Sequence, residues 1–307
     1  MSYKRLKTDV LVIGCGIGGA SAALEAAKHG LRVVVITKSA ALEGANTYWA
    51  QGGIVSLGPD DNPKVLREDI IKTGDGINNP EAVDLLVRES KALVDKILIG
   101  ELKIPFTRSS AASLDYAQEA GHSRRRILHV MDATGKTIEE KFIDALKRNQ
   151  NISLLPEHTA VDLLTVPHHS KDPIAYYKEP QCIGAYILDN KRNRVETIFA
   201  NWTVLATGGC GAVYLHTSNP RDAIGAGYAM AHRAGARIVN MEYIQFHPTS
   251  LYHRDADSFL ISETVRGEGA RLKTSKGRTF MEKYSPKKDL APRDEVTRAI
   301  YEEMVNS

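Results

Sequence analysis

Four glycines fall within six residues at Gly14-Cys15-Gly16-Ile17-Gly18-Gly19, spaced G-x-G-x-x-G through Gly14, Gly16 and Gly19. That spacing permits a tight turn, brings backbone N–H groups close to a pyrophosphate and lets a helix pack tightly on a strand. A helix starting there turns the positive end of its dipole toward the anion. A second cluster, Gly44 to Ile54, holds three glycines, two aromatics and an Asn at position 46, with no charge. Such a loop suits close approach to a ligand. A third, Ser123-Arg124-Arg125-Arg126, reads either as a nucleic-acid patch or as an ordinary solvated face. It lacks interleaved aromatics, and the solvated face is preferred.

The elements around the first cluster decide its meaning. Asp9 to Gly14 reads as a buried strand, a short β-branched run ended by glycine. Ile17 onward reads as a helix of small residues stopped by Gly30, and Leu31 to Lys38 as a second buried strand. A lone G-x-G-x-x-G is weak evidence, but between a strand and a helix, with a second strand on schedule, it predicts a dinucleotide site. An acidic residue for the ribose hydroxyls is expected near the end of the second strand, where Thr37 and Lys38 stand. That disfavours plain NAD and sets Lys38 against a phosphate or ribose oxygen of another dinucleotide.

Asn79 to Gly100 has an Asn cap, Pro80 in the first turn, apolar spacing of three and four and a closing glycine, so an amphipathic helix is expected. Gly135 to Asn149 reads as another. Ile152 to Ala200 changes to short β-rich runs, with a hairpin turn at Asp189-Asn190-Lys191. His168 and His169 fall in a polar loop there, read as solvated rather than metal-binding. Asn201 to Tyr214 reads as a buried strand running into glycines. Its loop returns to the dinucleotide, because open parallel sheets collect ligands at the carboxyl ends of their strands.

Composition narrows the class. The chain has 307 residues, 43% hydrophobic and 25% charged, enough for two domains or one large α/β domain. A net charge of +3 is too small to imply nucleic acid or an anionic membrane. Cys15, Cys182 and Cys210 form no CxxC, so neither a metal site nor a disulfide framework is indicated, which fits a reducing compartment. The basic, then apolar start breaks at Gly14, too short for a signal segment, and no stretch has the length of a membrane span. A cytoplasmic protein is expected.

Together these strings carry a resemblance. "VLVIGCGIGG", "NTYWAQGG", "VLATGG", "QFHPTSLY", "LISETVRGEGA" and "LAPRDEVTRAI" resemble, in order, the signature segments of the fumarate reductase/succinate dehydrogenase flavoprotein family. The resemblance implies an α/β chain, with a Rossmann-like FAD-binding domain over 1–240 carrying an inserted β-rich segment. It implies the start of an α+β capping domain over 241–307. Implied FAD contacts are Gly14, Cys15, Gly16, Ile17, Gly18, Gly19 and Lys38. The loop Asn46, Thr47, Tyr48, Trp49, Ala50, Gln51, Gly52 and Gly53 follows, then Val161, Thr207, Gly208 and Gly209. Members with S-H-T in that loop hold FAD covalently through the His. Asn46 has no ring nitrogen for that bond, so noncovalent FAD is expected.

Gln118 to Val130 resembles the E-x-G-H-S-x-R-R-I-L-H segment of the aspartate-oxidising members, which implies that Glu119 faces a substrate ammonium. His247 and Ser262 stand where the family binds substrate carboxylate oxygens, and Arg293 where it places its proton-transferring arginine. The implied activity is oxidation of L-aspartate to iminoaspartate, with O₂ or fumarate as acceptor and handover to quinolinate synthase in NAD biosynthesis. The alternatives are a fumarate reductase or succinate dehydrogenase flavoprotein, or a flavin-binding module without catalysis. Two features depart from the family: Ala226 stands where an acidic residue is common, and Ser307 falls inside the expected cap, before a later His and a second substrate-binding Arg.

Overall fold

The structure is a computed structural model and describes residues 5–40, 44–110, 113–253 and 259–306. By its internal contacts the chain divides into two units of discontinuous sequence, one of Met1–Trp49 with Lys136–Tyr243, the other of Ala50–Gly135 with Ile244–Ser307.

In the first unit β1 (Arg5–Ile13), α1 (Ile17–Lys28) and β2 (Val33–Ile36) form the expected βαβ module. β1 and β2 pair in parallel from Val10↔Val33 to Ile13↔Ile36. Every residue of β2 is buried, which is why its sequence reads as an unbroken apolar run rather than an alternating one. The other strands here are β6 (Ile152–Leu155), β7 (His158–Thr165), β8 (Cys182–Asp189) and β9 (Arg194–Leu205). The sheet order is β6-β2-β1-β9-β8-β7. β9 pairs in parallel with β1 and antiparallel with β8, so one strand joins the dinucleotide sheet to the β-rich hairpins. At the expected turn, Asp189 Oδ1 accepts from the backbone N–H groups of Lys191 and Arg192. The core gathers Leu11, Ile13, Val34, Ile36, Ala185, Ile187 and Ile198. Helices α2 (Asn46–Trp49), α5 (Thr134–Arg148), α6 (Val166–His169) and α7 (Ala226–Arg233) complete the unit.

Three sequence expectations need correcting here. Asn46–Trp49 is one helical turn rather than open loop. The backbone of His168 and His169 closes α6; the His169 ring turns to Thr165 and lies edge-on to Tyr186, while the His168 side chain lies outside the described residues. The segment after Ala200 is not buried: it continues β9, and Trp202 is 72% exposed, because one face of the strand end carries no covering layer among the described residues.

The second unit holds α3 (Pro63–Thr73) and α4 (Pro80–Leu93), each with proline in its first turn. Asn62 and Asn79 cap them by accepting from Val65 N–H and Ala82 N–H. Gly100 does not close α4. The chain widens into a π-helical stretch, Val94–Glu101, that carries the glycine inside it. β3 (Ile54–Val55), β4 (Tyr116–Ala117) and β5 (Ile127–Leu128) make a small antiparallel sheet in the order β3-β5-β4. α8 (Glu263–Gly267) and α9 (Arg293–Val305) follow, with Phe280, Met281 and Ala291 clustered against Val296 and Ala299 of α9.

Candidate functional site

In the first unit a cleft of about 380 Å³ opens at the carboxyl ends of β1 and β2. Gly14, Cys15, Gly16, Ile17 and Gly18 wall it, with Lys38, Asn46, Thr47, Thr207 and Gly208. Three of the four glycines in this loop differ in what surrounds them. Gly14 turns with φ +104°, and a Cβ there would sit 2.3 Å from Ala206 O. A Cβ on Gly19 would sit 2.0 Å from Gly14 O, so only glycine lets α1 pack this close. A Cβ on Gly18 would meet nothing within 4 Å among the described residues, so packing does not hold this position to glycine as it does the other two. Thr47 Oγ1 accepts from Ile17 N–H at 3.1 Å, and Asn46 Nδ2 donates to Asn219 Oδ1 at 3.0 Å. Asn46 thus fastens the one-turn α2 to a distant loop. Burial pushes the Cys15 thiol above its ordinary value, so it stays neutral.

Lys38 is ion-paired with Asp222. Asp222, His158 and Asn219 were not singled out from sequence; Asp222 meets Lys38 across 184 positions, and no local spacing announces it. Tyr48, Trp49, Val161 and Gly209 are not in the cleft wall: Trp49 is half exposed against Tyr48, and Ala160 rather than Val161 faces the cleft.

In the second unit a larger cavity of about 920 Å³ is walled by Gln51, Gly52, Glu119, His122, Ser262, Glu263 and Arg266. Ala50 and Gly53 stand outside that wall, and Gly53 is fixed by β5, since a Cβ there would meet Leu128 O at 2.3 Å. Gly52 lies against Glu119, where a Cβ would sit 2.3 Å from Oε1. Burial raises the Glu119 carboxyl; the Arg293 cation opposes this and Glu263 adds to it. Arg293 is not in the wall but reaches it: Nη2 is 4.0 Å from Glu119 Oε2, and Nε donates to Glu263 Oε2 at 2.8 Å. Glu263 Oε1 is in turn 3.9 Å from Arg266 Nη2, and Arg266 Nη1 donates to Asp289 O at 2.7 Å.

His247 also lies behind the wall. Its Nδ1 is 2.8 Å from Thr249 O, while Nε2 is buried with no hydrogen-bond partner among the described residues. Burial, and then the nearby Arg293 cation, lower its pKa. The structure therefore gathers Glu119, Ser262 and Arg293 around one cavity, with His247 adjoining. It adds Glu263 and Arg266, whose i,i+3 spacing in "ETVR" was the available signal. The arginine run needs correction as well: Arg126 is fully buried rather than solvated, held by Asp61 and Asp69.

Residues 9–307 match the FAD binding domain family. The chain belongs to that family. L-aspartate oxidase 1 of Ralstonia nicotianae is 46% identical, over 96% of this chain and 54% of that protein. L-aspartate oxidase of Halobacterium salinarum is 45% identical, over 95% of this chain and 55% of that protein. The chain thus spans about half the length of the curated relatives it matches. An E. coli quinol fumarate reductase shares the fold, with a TM-score of 0.87 at 24% identity over 99% of this chain and 52% of that one.

The cofactor of this FAD-binding domain fits the first-unit cleft. α1 begins at Gly16 with no side-chain cap and no acidic residue in its first turn, whereas α3 and α4 are capped by asparagines. Thr47 already takes the N–H of Ile17, so the next N–H groups, those of Gly18 and Gly19, are left for an anion such as the FAD pyrophosphate. The cleft volume lies within the roughly 300–1,000 Å³ of ligand pockets. No helix among the described residues is long and apolar enough to cross a membrane.

Proposed function

We propose that this FAD-binding domain serves an FAD-dependent L-aspartate oxidase that makes iminoaspartate for NAD biosynthesis. The observation that carries the reading is Glu119, a half-buried carboxylate on a cavity wall with Ser262, within reach of Arg293. A carboxylate there meets the ammonium of an amino dicarboxylate, and succinate has none. Ser262 Oγ and His247 Nε2 are the atoms assigned to the substrate carboxylates.

Turning an amine into an imine removes a hydride equivalent from Cα and a proton from nitrogen. FAD, when bound, supplies the two-electron acceptor. The raised Glu119 carboxyl is suited to take the nitrogen proton, since burial favours its protonated form. Arg293 donates to Glu263, and Arg266 beyond Glu263 makes a three-residue chain for returning a proton. Arginine gives a proton more readily than it takes one. That chain favours fumarate reduction as the second reading, while Asn46 and Glu119 weigh against a plain fumarate reductase.

Noncovalent FAD, O₂ or fumarate as acceptor, a cytoplasmic location and handover of iminoaspartate to quinolinate synthase belong to the same proposal. The test is substrate-dependent reduction of FAD absorbance in the complete gene product, with L-aspartate and succinate compared. Aspartate should bleach the flavin and succinate should not. Bleaching by succinate alone would replace this reading with the second one.

A further inference from the structure

The fully buried Arg126 has no part in the chemistry above, yet its contacts end at the cavity. Asp61 receives it bidentately, with Nε to Oδ2 at 2.7 Å and Nη2 to Oδ1 at 3.0 Å, and Asp69 Oδ2 receives Nη1 at 2.6 Å. Ser123 donates to the same Asp69 oxygen from both N–H and Oγ, at 2.9 Å each. Losing one partner of such a buried cluster would strand an unpaired charge, so the guanidinium is fixed in place. Its Nη1 also lies 3.4 Å from His122 Nδ1. A guanidinium has only donors, so Nδ1 must accept. The neutral ring then carries its proton on Nε2, the nitrogen turned away from Arg126, and His122 is part of the cavity wall.

The backbone holds that ring beside Glu119. His122 N–H donates to Glu119 O at 3.2 Å, and Gln118 Nε2 donates to His122 O at 2.9 Å. The turn therefore sets an acceptor, Glu119, and a neutral donor, His122, three residues apart on one wall.

We propose that His122 is a substrate-binding residue, its Nε2–H donating to a carboxylate of the dicarboxylate whose ammonium Glu119 receives, with Arg126 as the positioning residue that fixes its tautomer. The assignment rests on the amino-dicarboxylate reading and adds the residue on which carboxylate placement next to Glu119 depends. Burial, and then the Arg126 cation, lower the His122 pKa, against the opposing pull of Asp69, Asp61 and Glu263. The ring is thus kept neutral, which suits it to donate and not to carry charge into a cavity that already holds Arg266.

Two measurements test the assignment. Long-range ¹H–¹⁵N spectra of the histidine-labelled protein, with the His122 signals assigned from the His122→Gln variant, should show Nε2 protonated and Nδ1 bare at pH 7.5. An Nδ1–H tautomer or an imidazolium would overturn the role. Calorimetric titration with succinate, which has carboxylates and no ammonium, reads the donor directly. His122→Ala should weaken succinate by roughly tenfold or more, while His122→Gln, whose amide N–H replaces the donor, should stay within about threefold. In turnover the Ala change should appear in KM and leave kcat. Equal succinate affinity in wild type and His122→Ala would remove His122 while leaving the dicarboxylate reading intact. Failure of wild type to bind either succinate or aspartate would sink that reading and His122 with it. Equal loss in the Ala and Gln variants would reduce His122 to a structural residue.

Discussion

The first-unit cleft is walled mainly by glycine backbone and apolar strand ends, with Lys38 and Asp222 as its ion pair. The second-unit cavity is walled by charged and polar side chains: Glu119, Glu263 and Arg266 stand on it, and Arg293 reaches it. Backbone donors are fixed by secondary structure and change little with pH. A constellation of side-chain charges has its protonation set by burial and by each neighbour. The first arrangement suits a ligand that stays; the second suits one that gains and loses protons.

The largest expected effect falls on the second unit. Arg293→Leu removes the cation beside Glu119 and Glu263, and fumarate reduction by the complete gene product should fall by roughly 10²–10⁴-fold, the usual span for a lost acid–base group. Loss under tenfold in stopped-flow or steady-state assays would mean the proton comes from elsewhere.

A single carboxylate could break the contrast from the other side. Glu139 on α5 is fully buried, both its oxygens lack hydrogen-bond partners among the described residues, and burial pushes it up to about 7 from an ordinary 4.5. Between those values the folded chain keeps a proton that the unfolded chain has lost. Stability should therefore fall as pH rises from 4.5 to 7 and level off above. Glu139→Gln should be more stable than wild type by up to about 3 kcal/mol at pH 8, and equal to it near the lower end. Parallel urea curves for the two proteins at every pH would show that the carboxyl is solvated or paired.

Glu119→Gln sharpens the comparison. Losing a charge-assisted contact to ammonium costs about 1.5–3 kcal/mol, so kcat/KM for aspartate should drop ten- to over a hundredfold. Fumarate reduction, with no ammonium to recognise, should change far less. Gly52→Ala should have the same sign, because its methyl would displace the Glu119 carboxylate. Equal losses for both substrates would make Glu119 structural. The smallest effect concerns Asn46, which lacks the nitrogen for a flavin bond. FAD should leave with the supernatant on acid precipitation, and Asn46→Ala should cost only about 0.5–1.5 kcal/mol through the lost Asn219 contact. Yellow colour retained on the precipitated chain would contradict the first expectation.

The contrast also explains what could be read before the structure. The glycine loop, β1, α1 and β2 are contiguous, and their signals (a fixed glycine spacing and two β-branched runs) are local. The Asn62 and Asn79 caps and the Asp189 turn are likewise resolved within three residues. The cavity is assembled from segments around residues 51, 119, 263 and 290, so its pairings have no local period. Arg126 is the clearest case. In sequence it is one of three like charges, and only contact with Asp61 and Asp69 distinguishes it from exposed Arg124 and Arg125. Glu119, Ser262, His247 and Arg293 were reached by family resemblance, not by periodicity.

β9 carries a consequence for how the chain reaches its native state. β1 lies between β2, its near neighbour in sequence, and β9, whose Thr197 pairs with Arg5 and Leu205 with Ile13. During synthesis at about 5–20 residues per second, β1 must wait on the order of ten seconds or more for that partner. Until then one side of the apolar β1 is an unpaired sheet edge, a template for association with other chains. Pairing across so long a loop is slow, since closure entropy is lost before contacts reward it. Nascent chains halted between the ends of β8 and β9 should therefore be the species that aggregate or recruit chaperones, and release just past Leu205 should end that vulnerability.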